Sequence, residues 1–428
     1  MKISSMHLEN YRCFENFAIN FDEHLTVLVG VNGSGKTAVL DALSILLKNI
    51  HQYKYITRER ISDNDVNLNK INEDIICEYS VQFSKNLDNT RKKIKIIFER
   101  LKRNSSILIL NENMHTPDEI NSIRKFFTQD MPVCAAYMAG RFLHEQATVL
   151  KRSSNMPSGT SAFDNAFSRS IEDYQTTLSW FNNMDADEAR AMRDHAQKIE
   201  MPELKAVREA LSKALLGQYE RPRMKGSPPE LIIYKKGTDT SYKVSQLSDG
   251  YRAMLAVVMD LARRMALVHN AATSSDESVL HSPAIVLIDE VDLHLHPSWQ
   301  QTVLPTLMEI FPNTQFVVTT HSPQVLTSIP PKHIRILSDG NVYSVDEQTE
   351  GAESSRLLKH VLGVDPRPQD LLIVKKLEEY AKLVYDEKWN TQEAQELYDT
   401  LIKHFKRDDQ KLAELEMHVE NSKWERAL

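Results

Sequence analysis

Leu25-Thr-Val-Leu-Val-Gly30-Val-Asn-Gly-Ser-Gly-Lys-Thr37, followed by an Ala- and Leu-rich stretch to Ile50, decides the fold. The apolar run ending at Gly30 reads as a strand buried on both faces. Gly30, Gly33 and Gly35 let successive backbone N–H groups converge without Cβ clashes. Val39, Leu40, Leu43, Leu46 and Leu47 then recur at helical spacing. The loop therefore opens a helix N-terminus, whose partial positive charge favours an anion. G-x-x-x-x-G-K-[ST] between strand and helix is a phosphate loop. Lys36 can reach the β- and γ-phosphates of a nucleotide, and Thr37 offers a hydroxyl to Mg²⁺.

Working outward, two more buried-strand runs end in reactive side chains. Ile285-Val-Leu-Ile-Asp289-Glu290 closes on two carboxylates. Because a strand sends neighbours to opposite faces, Asp289 is expected at the metal and Glu290 toward an attacking water. Phe316-Val-Val-Thr-Thr-His321-Ser322 closes on an imidazole able to bond a phosphate oxygen and position water. Leu247-Ser248-Asp249-Gly250 precedes a helix running to about Val268, with Ser248 as N-cap and Gly250 allowing close backbone approach to a second anion. His294 and His296 lie i, i+2 without a third ligand nearby, which fits loop packing better than a metal site.

The composition sets limits on these readings. The chain has 428 residues, 41% hydrophobic and 26% charged, so a folded core rather than disorder is expected. Net charge −7 argues against coating nucleic acid through bulk charge. Three dispersed cysteines, Cys13, Cys77 and Cys134, give neither a disulfide framework nor a zinc knuckle, as in a reducing cytoplasm. The N-terminal MKISSMHLENYRCF lacks the apolar block of a signal peptide. The apolar stretch Ala253 to Val268 is broken by Asp260, Arg263 and Arg264, so no membrane span is expected.

Between the motifs, residues from about Ile75 to Leu110 read as an antiparallel β-meander, and a helical insert covers about 145–225, closing on a Pro/Gly connector at Pro222 to Pro229. We place an ATPase domain at 1–365 and a helical segment for partner binding or assembly at 366–428. In that segment Leu372, Val374, Leu377, Tyr380 and Leu383 form a stripe, with Trp389 and Trp424 beyond; its readings are packing on the head or assembly. The basic run Arg91 to Arg103 fits an edge-protecting strand or a nucleic-acid contact.

The order phosphate loop, LSDG, LIDE and His321 resembles the ABC-type ATPase heads of the SMC and RecF kind. DEVDLHLHP and TTHSP resemble the OLD-like branch, and LSDGYRAML with VLIDEVDLHLHPSWQ is similar to Septu-type antiphage ATPases, including those found with retrons. The resemblance implies an α/β fold: a phosphate-loop parallel sheet, an antiparallel β-subdomain, a helical insert and a helical tail. It implies ATP and Mg²⁺ as cofactors and ATP hydrolysis as the activity. Gly30, Asn32, Gly33, Ser34, Gly35, Lys36 and Thr37 would bind ATP, Thr37 and Asp289 the metal, and Lys36, Glu290 and His321 would carry the chemistry. Ser248 and Gly250 would cap the nucleotide of a second copy in a head-to-head dimer. Arg12 sits where such heads contact adenine or ribose. The glutamine that senses Mg²⁺ is Gln82 or Gln146. The resemblance further implies a separate HNH nuclease partner, through which nucleic acid would be reached. The rivals are a RecF-like repair ATPase acting directly on DNA and a weakly hydrolysing, ATP-gated scaffold.

Overall fold

The structure, a computed structural model, describes residues 1–52, 75–83, 92–101, 105–110, 132–138, 162–164, 166–167, 172–195, 200–227, 229–272, 278–406 and 408–425. Gln146 and the first part of the expected helical insert lie outside them, as do the side chains of the basic run. Contacts divide the chain into Met1–Leu357 and Leu358–Leu428.

In the first unit the described strands form three sheets. β1 (Lys2–Tyr11) and β2 (Phe14–Asn20) form a hairpin, with Ile3, Met6 and Leu8 of β1 and Phe17 and Ile19 of β2 buried. β3 (Leu25–Val29) is buried along its whole length and leads through the glycine loop into α1 (Lys36–Gln52). β4 (Ile75–Phe83), β5 (Lys92–Leu101) and β6 (Ser105–Leu110) realise the expected meander and extend the hairpin to an antiparallel sheet, β2-β1-β4-β5-β6. β7 (Val133–Tyr137), α2 (Glu172–His195) and α3 (Pro202–Ala214) follow. The stretch read as a Pro/Gly connector begins instead inside a strand, β8 (Tyr219–Lys225), paired with β9 (Glu230–Lys235), which pairs with β10 (Ser241–Lys243). Proline cannot donate to a ladder, and here Pro222 falls in a register break between Glu220 and Arg223.

α4 (Asp249–Ala272) then leads to β11 (Ala284–Ile288), α5 (Pro297–Gln300), α6 (Val303–Ile310), β12 (Thr314–Thr319), α7 (Pro323–Leu326), β13 (Ile334–Ser338), β14 (Asn341–Ser344) and α8 (Ser354–His360). The central sheet runs β14-β13-β3-β12-β11-β7, parallel except for β14. α1 buries Val39, Leu40, Leu43, Leu46 and Leu47 in one core with β1, β2 and β4. Each such side chain contributes roughly 1.5–3 kcal/mol. The α/β head with a parallel phosphate-loop sheet and an antiparallel β-subdomain matches the fold expected from the sequence.

Two polar features tie these layers. Gln315 of β12, fully buried, accepts the Ile3 N–H at 2.8 Å and donates to the carbonyls of Ile3 and Asp22 at 2.8 Å each, stitching β1 to the central sheet. The charges that interrupt the apolar stretch of α4 are themselves buried: Asp260 is 4% and Arg264 1% exposed. Asp260 accepts from Arg264 Nε at 2.6 Å, Arg263 Nη2 at 2.8 Å, Tyr137 at 2.9 Å and Thr177 of α2 at 3.0 Å. Arg264 also donates to the carbonyls of Ala162 and Asp164.

Residues Leu358–Leu428 hold α9 (Leu372–Tyr385), α10 (Gln392–Phe405) and α11 (Gln410–Glu425) around Leu377, Tyr380, Val384, Leu401, Leu412 and Leu415. Arg367 forks onto Asp409 at 2.7 and 3.0 Å. The stripe expected from Leu372 is corrected here: the inward residues of α9 are Val374, Leu377, Tyr380 and Val384, while Leu372 and Trp424 are 70% and 71% exposed.

Burial alone would raise the Asp260 carboxyl, but Arg264 and Arg263 hold it far below the ordinary carboxylate range. A folded-state pKa below the unfolded one contributes stability that is complete above pH about 4 and lost as pH falls through the folded value. Asp260→Asn leaves two buried guanidinium groups uncompensated, and the expected loss is about 3–5 kcal/mol at pH 7. Urea unfolding of the two proteins measures it, and an unchanged midpoint would refute the network's role.

Candidate functional site

The parallel register brings the C-terminal ends of β3, β11 and β12 to one edge of the sheet. The phosphate loop leaves β3 there. Gly30 has φ +151°, and a Cβ on it would lie 2.4 Å from the Leu337 carbonyl oxygen of β13. Gly35 has φ +96°, and a Cβ there would lie 2.3 Å from Phe14 Cζ and 2.9 Å from Cys13 Sγ. The first turn of α1 begins at once, with the Val39 N–H donating to the Gly35 carbonyl at 3.0 Å. Asn32, Gly33 and Thr37 are exposed along the loop. Lys36 Nζ donates to the carbonyls of Gly30 and Val31 at 2.9 Å each. Burial lowers the Lys36 pKa, opposed by the nearby carboxylates of Asp289 and Glu290. The Ser34 hydroxyl is buried at the loop and, among the described residues, has no hydrogen-bond partner.

β11 ends at Ile288, one residue before the carboxylates. Asp289 is buried; it accepts from Thr319 Oγ1 at 2.6 Å and from Thr37 Oγ1 at 3.2 Å, and its N–H donates to the Tyr137 carbonyl at 2.8 Å. Glu290 has φ +50° and its N–H donates to Thr319 Oγ1 at 2.7 Å. The expected separation of the two side chains by strand alternation is thus replaced by a left-handed turn beyond the strand, pinned by one hydroxyl.

His321 follows β12 and is exposed. The residues beside it are fixed: Thr320 Oγ1 donates to Asp292 at 2.6 Å, and Ser322 Oγ caps α7 and donates to Gln300 Oε1 at 2.8 Å. Gln300 in turn donates to the carbonyls of Asp292 and Leu295, which shape the loop after the carboxylates. His296 is occupied with Ser298 at 2.9 Å and His294 has φ +63°, so both serve that loop.

Arg12 sits at the β1–β2 turn with φ +50°, its guanidinium 2.6 Å from Asp41 of α1 and over the Tyr11 ring. Ser248 and Asp249 are exposed at the start of α4, while Gly250 is buried. A Cβ on Gly250 would lie 2.4 Å from the His294 carbonyl oxygen, and Tyr251 packs on Trp299 with ring centroids 4.1 Å apart. The LSDG turn therefore rests on the loop that follows Asp289 and Glu290. Gln82 lies in β4 opposite Lys2 and Lys93, in the antiparallel sheet.

Lys36, Thr37, Asp289 and Glu290 are thus brought together. Thr319, Tyr137, Asp41 and Gln300 were not anticipated; only the Thr319-Thr320 pair closing an apolar run carried a signal in the sequence. The residues fit a nucleotide with a divalent cation. Gly30 and Gly35 hold the loop in positive-φ conformations and close packing that a Cβ would forbid, a hydroxyl unpaired among the described residues and a lysine line it, and a hydroxyl and a carboxylate offer hard oxygen donors beside it.

Gly33 and Gly35 separate two demands on this loop. Among the described residues nothing lies within 4 Å of a Cβ on Gly33, so Gly33→Ala meets the cost of φ +83°, about 1–3 kcal/mol locally. Gly35→Ala meets that cost and a clash with Phe14 as well. Calorimetric titration with ATP should show weakened binding for Gly33→Ala and none for Gly35→Ala; equal affinities would refute the cradle.

The chain matches the AAA ATPase domain family over residues 1–326. It is 29% identical to a retron Ec83 probable ATPase of Escherichia coli, over 99% of this chain and 88% of that protein. It is 25% identical to a retron Vc95 probable ATPase of Vibrio cholerae, over 79% and 74%. A Septu protein PtuA of Bacillus thuringiensis is 21% identical, over 85% and 84%. With a phosphate loop, an acidic strand end and the family's match spanning both, this chain belongs to the AAA ATPase domain family.

Proposed function

We propose that this chain binds and hydrolyses ATP in a site shared between two copies of itself. We propose further that it is the ATPase subunit of an antiphage defence system of the Septu or retron kind. The observation that carries the first reading is the cluster of Lys36, Thr37, Asp289 and Glu290 at one sheet edge, tied by the Thr319 hydroxyl. The similarity to retron ATPases and to PtuA supports the second.

In this reading, loop N–H groups, Ser34 and Lys36 bind the phosphates, and Lys36 exchanges its two carbonyl acceptors for phosphate oxygens. Thr37 and Asp289 hold Mg²⁺, which when bound neutralises charge on the phosphates. The Glu290 carboxylate accepts the proton of the attacking water, and His321 donates to the γ-phosphate. Arg12, held by Asp41, lies beside the nucleotide's ribose or base. Ser248 and Gly250 of a second copy close the site; the exposed Ser248 and Asp249 at the start of a 24-residue helix support that role. ATP binding would then favour the paired state over the single one, in proportion to its differential affinity. The resemblance to Septu-type ATPases supports an HNH nuclease subunit as the partner so controlled. Three cysteines with no disulfide between them support a cytoplasmic setting, and among the described residues no helix is long and apolar enough to cross a membrane.

Glu290→Gln should bind ATP as the unaltered chain does while turnover falls by about 10²–10⁴-fold. Lys36→Ala should lose nucleotide binding by calorimetry. Undiminished hydrolysis in the first or undiminished affinity in the second would overturn the assignments. Light scattering of Glu290→Gln should show the mass doubling on addition of ATP; a mass indifferent to ATP at every concentration would overturn the shared site.

A further inference from the structure

Between Tyr219 and Lys243 the chain holds six Lys and Arg against three Asp and Glu, a local reversal of the −7 carried by the whole. This segment is the three-stranded sheet β10-β9-β8. Directly paired residues of antiparallel strands share a face. Ile232 pairs with both Arg223 and Lys243, Tyr234 with Glu220 and Ser241, and Glu230 with Lys225. Leu231 and Ile233 of β9 are buried and take the other face. The outward face therefore collects Arg223, Lys225 and Lys243 around the Tyr234 ring.

The bulge in β8 adds a fourth cation. Arg221 has φ +52°, a conformation side chains rarely adopt, and its guanidinium lies 4.7 Å from the Tyr234 ring centroid. Lys225 Nζ lies 5.1 Å from the same centroid and donates to the Tyr234 hydroxyl. A bulge re-aims a side chain, and a strained residue persists only where its surroundings hold it there. Simple protection of an edge strand needs basic residues on the edges, not a strained arginine over an aromatic ring on the central strand. Glu220 and Asp239 flank Arg221, and Glu230 meets Lys243 at 2.5 Å. Among the described residues Arg223 has no ion-pair partner and Lys225 bonds only Tyr234.

We propose that the outward face of β8–β10 binds single-stranded nucleic acid. Arg223, Lys225 and Lys243 meet successive phosphates, and an unpaired base stacks on Tyr234 beside the Arg221 guanidinium. A duplex keeps its bases stacked inside and cannot use the ring. β10 runs through the turn Val244–Gln246 directly into Leu247-Ser248, so a strand bound here lies at the approach to the LSDG turn. This inference does not depend on ATP turnover.

The test is fluorescence anisotropy on the full chain without nucleotide, using a labelled oligothymidylate of about 16 nucleotides. An RNA of the same length and a DNA duplex form the other arms. The single strand should bind with affinity falling steeply between about 50 and 200 mM salt, and each cation removed should reduce the logarithmic slope by about 0.7. Arg223→Gln with Lys225→Gln should weaken binding at least about tenfold and flatten that slope. Tyr234→Leu should weaken binding about tenfold with the slope unchanged, and Tyr234→Phe should restore it. Thermal unfolding midpoints check that the variants fold. The two single-strand arms report whether DNA or RNA is preferred, and binding of either supports the inference. No binding of either single strand, a duplex bound as tightly, or folded variants that bind like the unaltered chain would each overturn it.

Discussion

One hydroxyl organises the acidic edge of the central sheet. Thr319 Oγ1 donates to the Asp289 carboxylate and accepts the Glu290 N–H, using its single proton and one lone pair on adjacent residues. Because β11 and β12 run parallel with Ile288 opposite Val318, Thr319 arrives beside Asp289 where β11 has already ended. The chain is then free to turn left-handed at Glu290, a conformation that costs about 1–3 kcal/mol unless its surroundings hold it. Asp289 is thereby held toward Thr37, while its neighbour is released from the alternation of a strand.

The same edge is connected to the helix that begins at LSDG. Tyr137 accepts the Asp289 N–H with its carbonyl and donates its hydroxyl to Asp260, in the middle of α4. Arg263 and Arg264 close the network from α4 itself, and Thr177 brings in α2. A buried network with all members satisfied resists small displacements, because any one broken bond strands a charge in a low dielectric. At its other end α4 touches the loop after Glu290 through Gly250 and Tyr251. The signature helix and the acidic strand end are joined at two points, one polar and one steric.

The motifs legible in the sequence were those whose chemistry is local. The phosphate loop needs its glycines and lysine within eight residues, and the LIDE and TTHS ends announce themselves by an apolar run broken by a reactive group. The meander and the head fold were legible for the same reason, as patterns of alternation and order. β7 was not. Its Val-Cys-Ala-Ala-Tyr is short, centred on two alanines and without alternation, and it pairs as a strand with β11. The left-handed Glu290 and the bulge at Arg221 and Pro222 depend on neighbours far along the chain or across a sheet. The charges that interrupt the apolar run of α4 are plain in the sequence, yet their burial with Tyr137 and Thr177 is a tertiary fact with no trace in spacing. In the C-terminal unit the helical period was clear, but its phase was set by α10 and α11, which turned Leu372 outward.

The placement of β3 has a consequence for how this protein is made. Its two sheet neighbours, β12 and β13, lie near the other end of the head, and the Gln315 clamp closes on Ile3 across 312 residues. On the ribosome the β1–β2 hairpin and the β4–β6 meander can form from local contacts as they emerge. The uniformly apolar Leu25–Val29, however, has no edge to join until nearly the whole head has been synthesised. During that interval it is an unpaired apolar segment, of the kind that is prone to aggregate until its partners are available. The nucleotide cradle is thus encoded first and completed last.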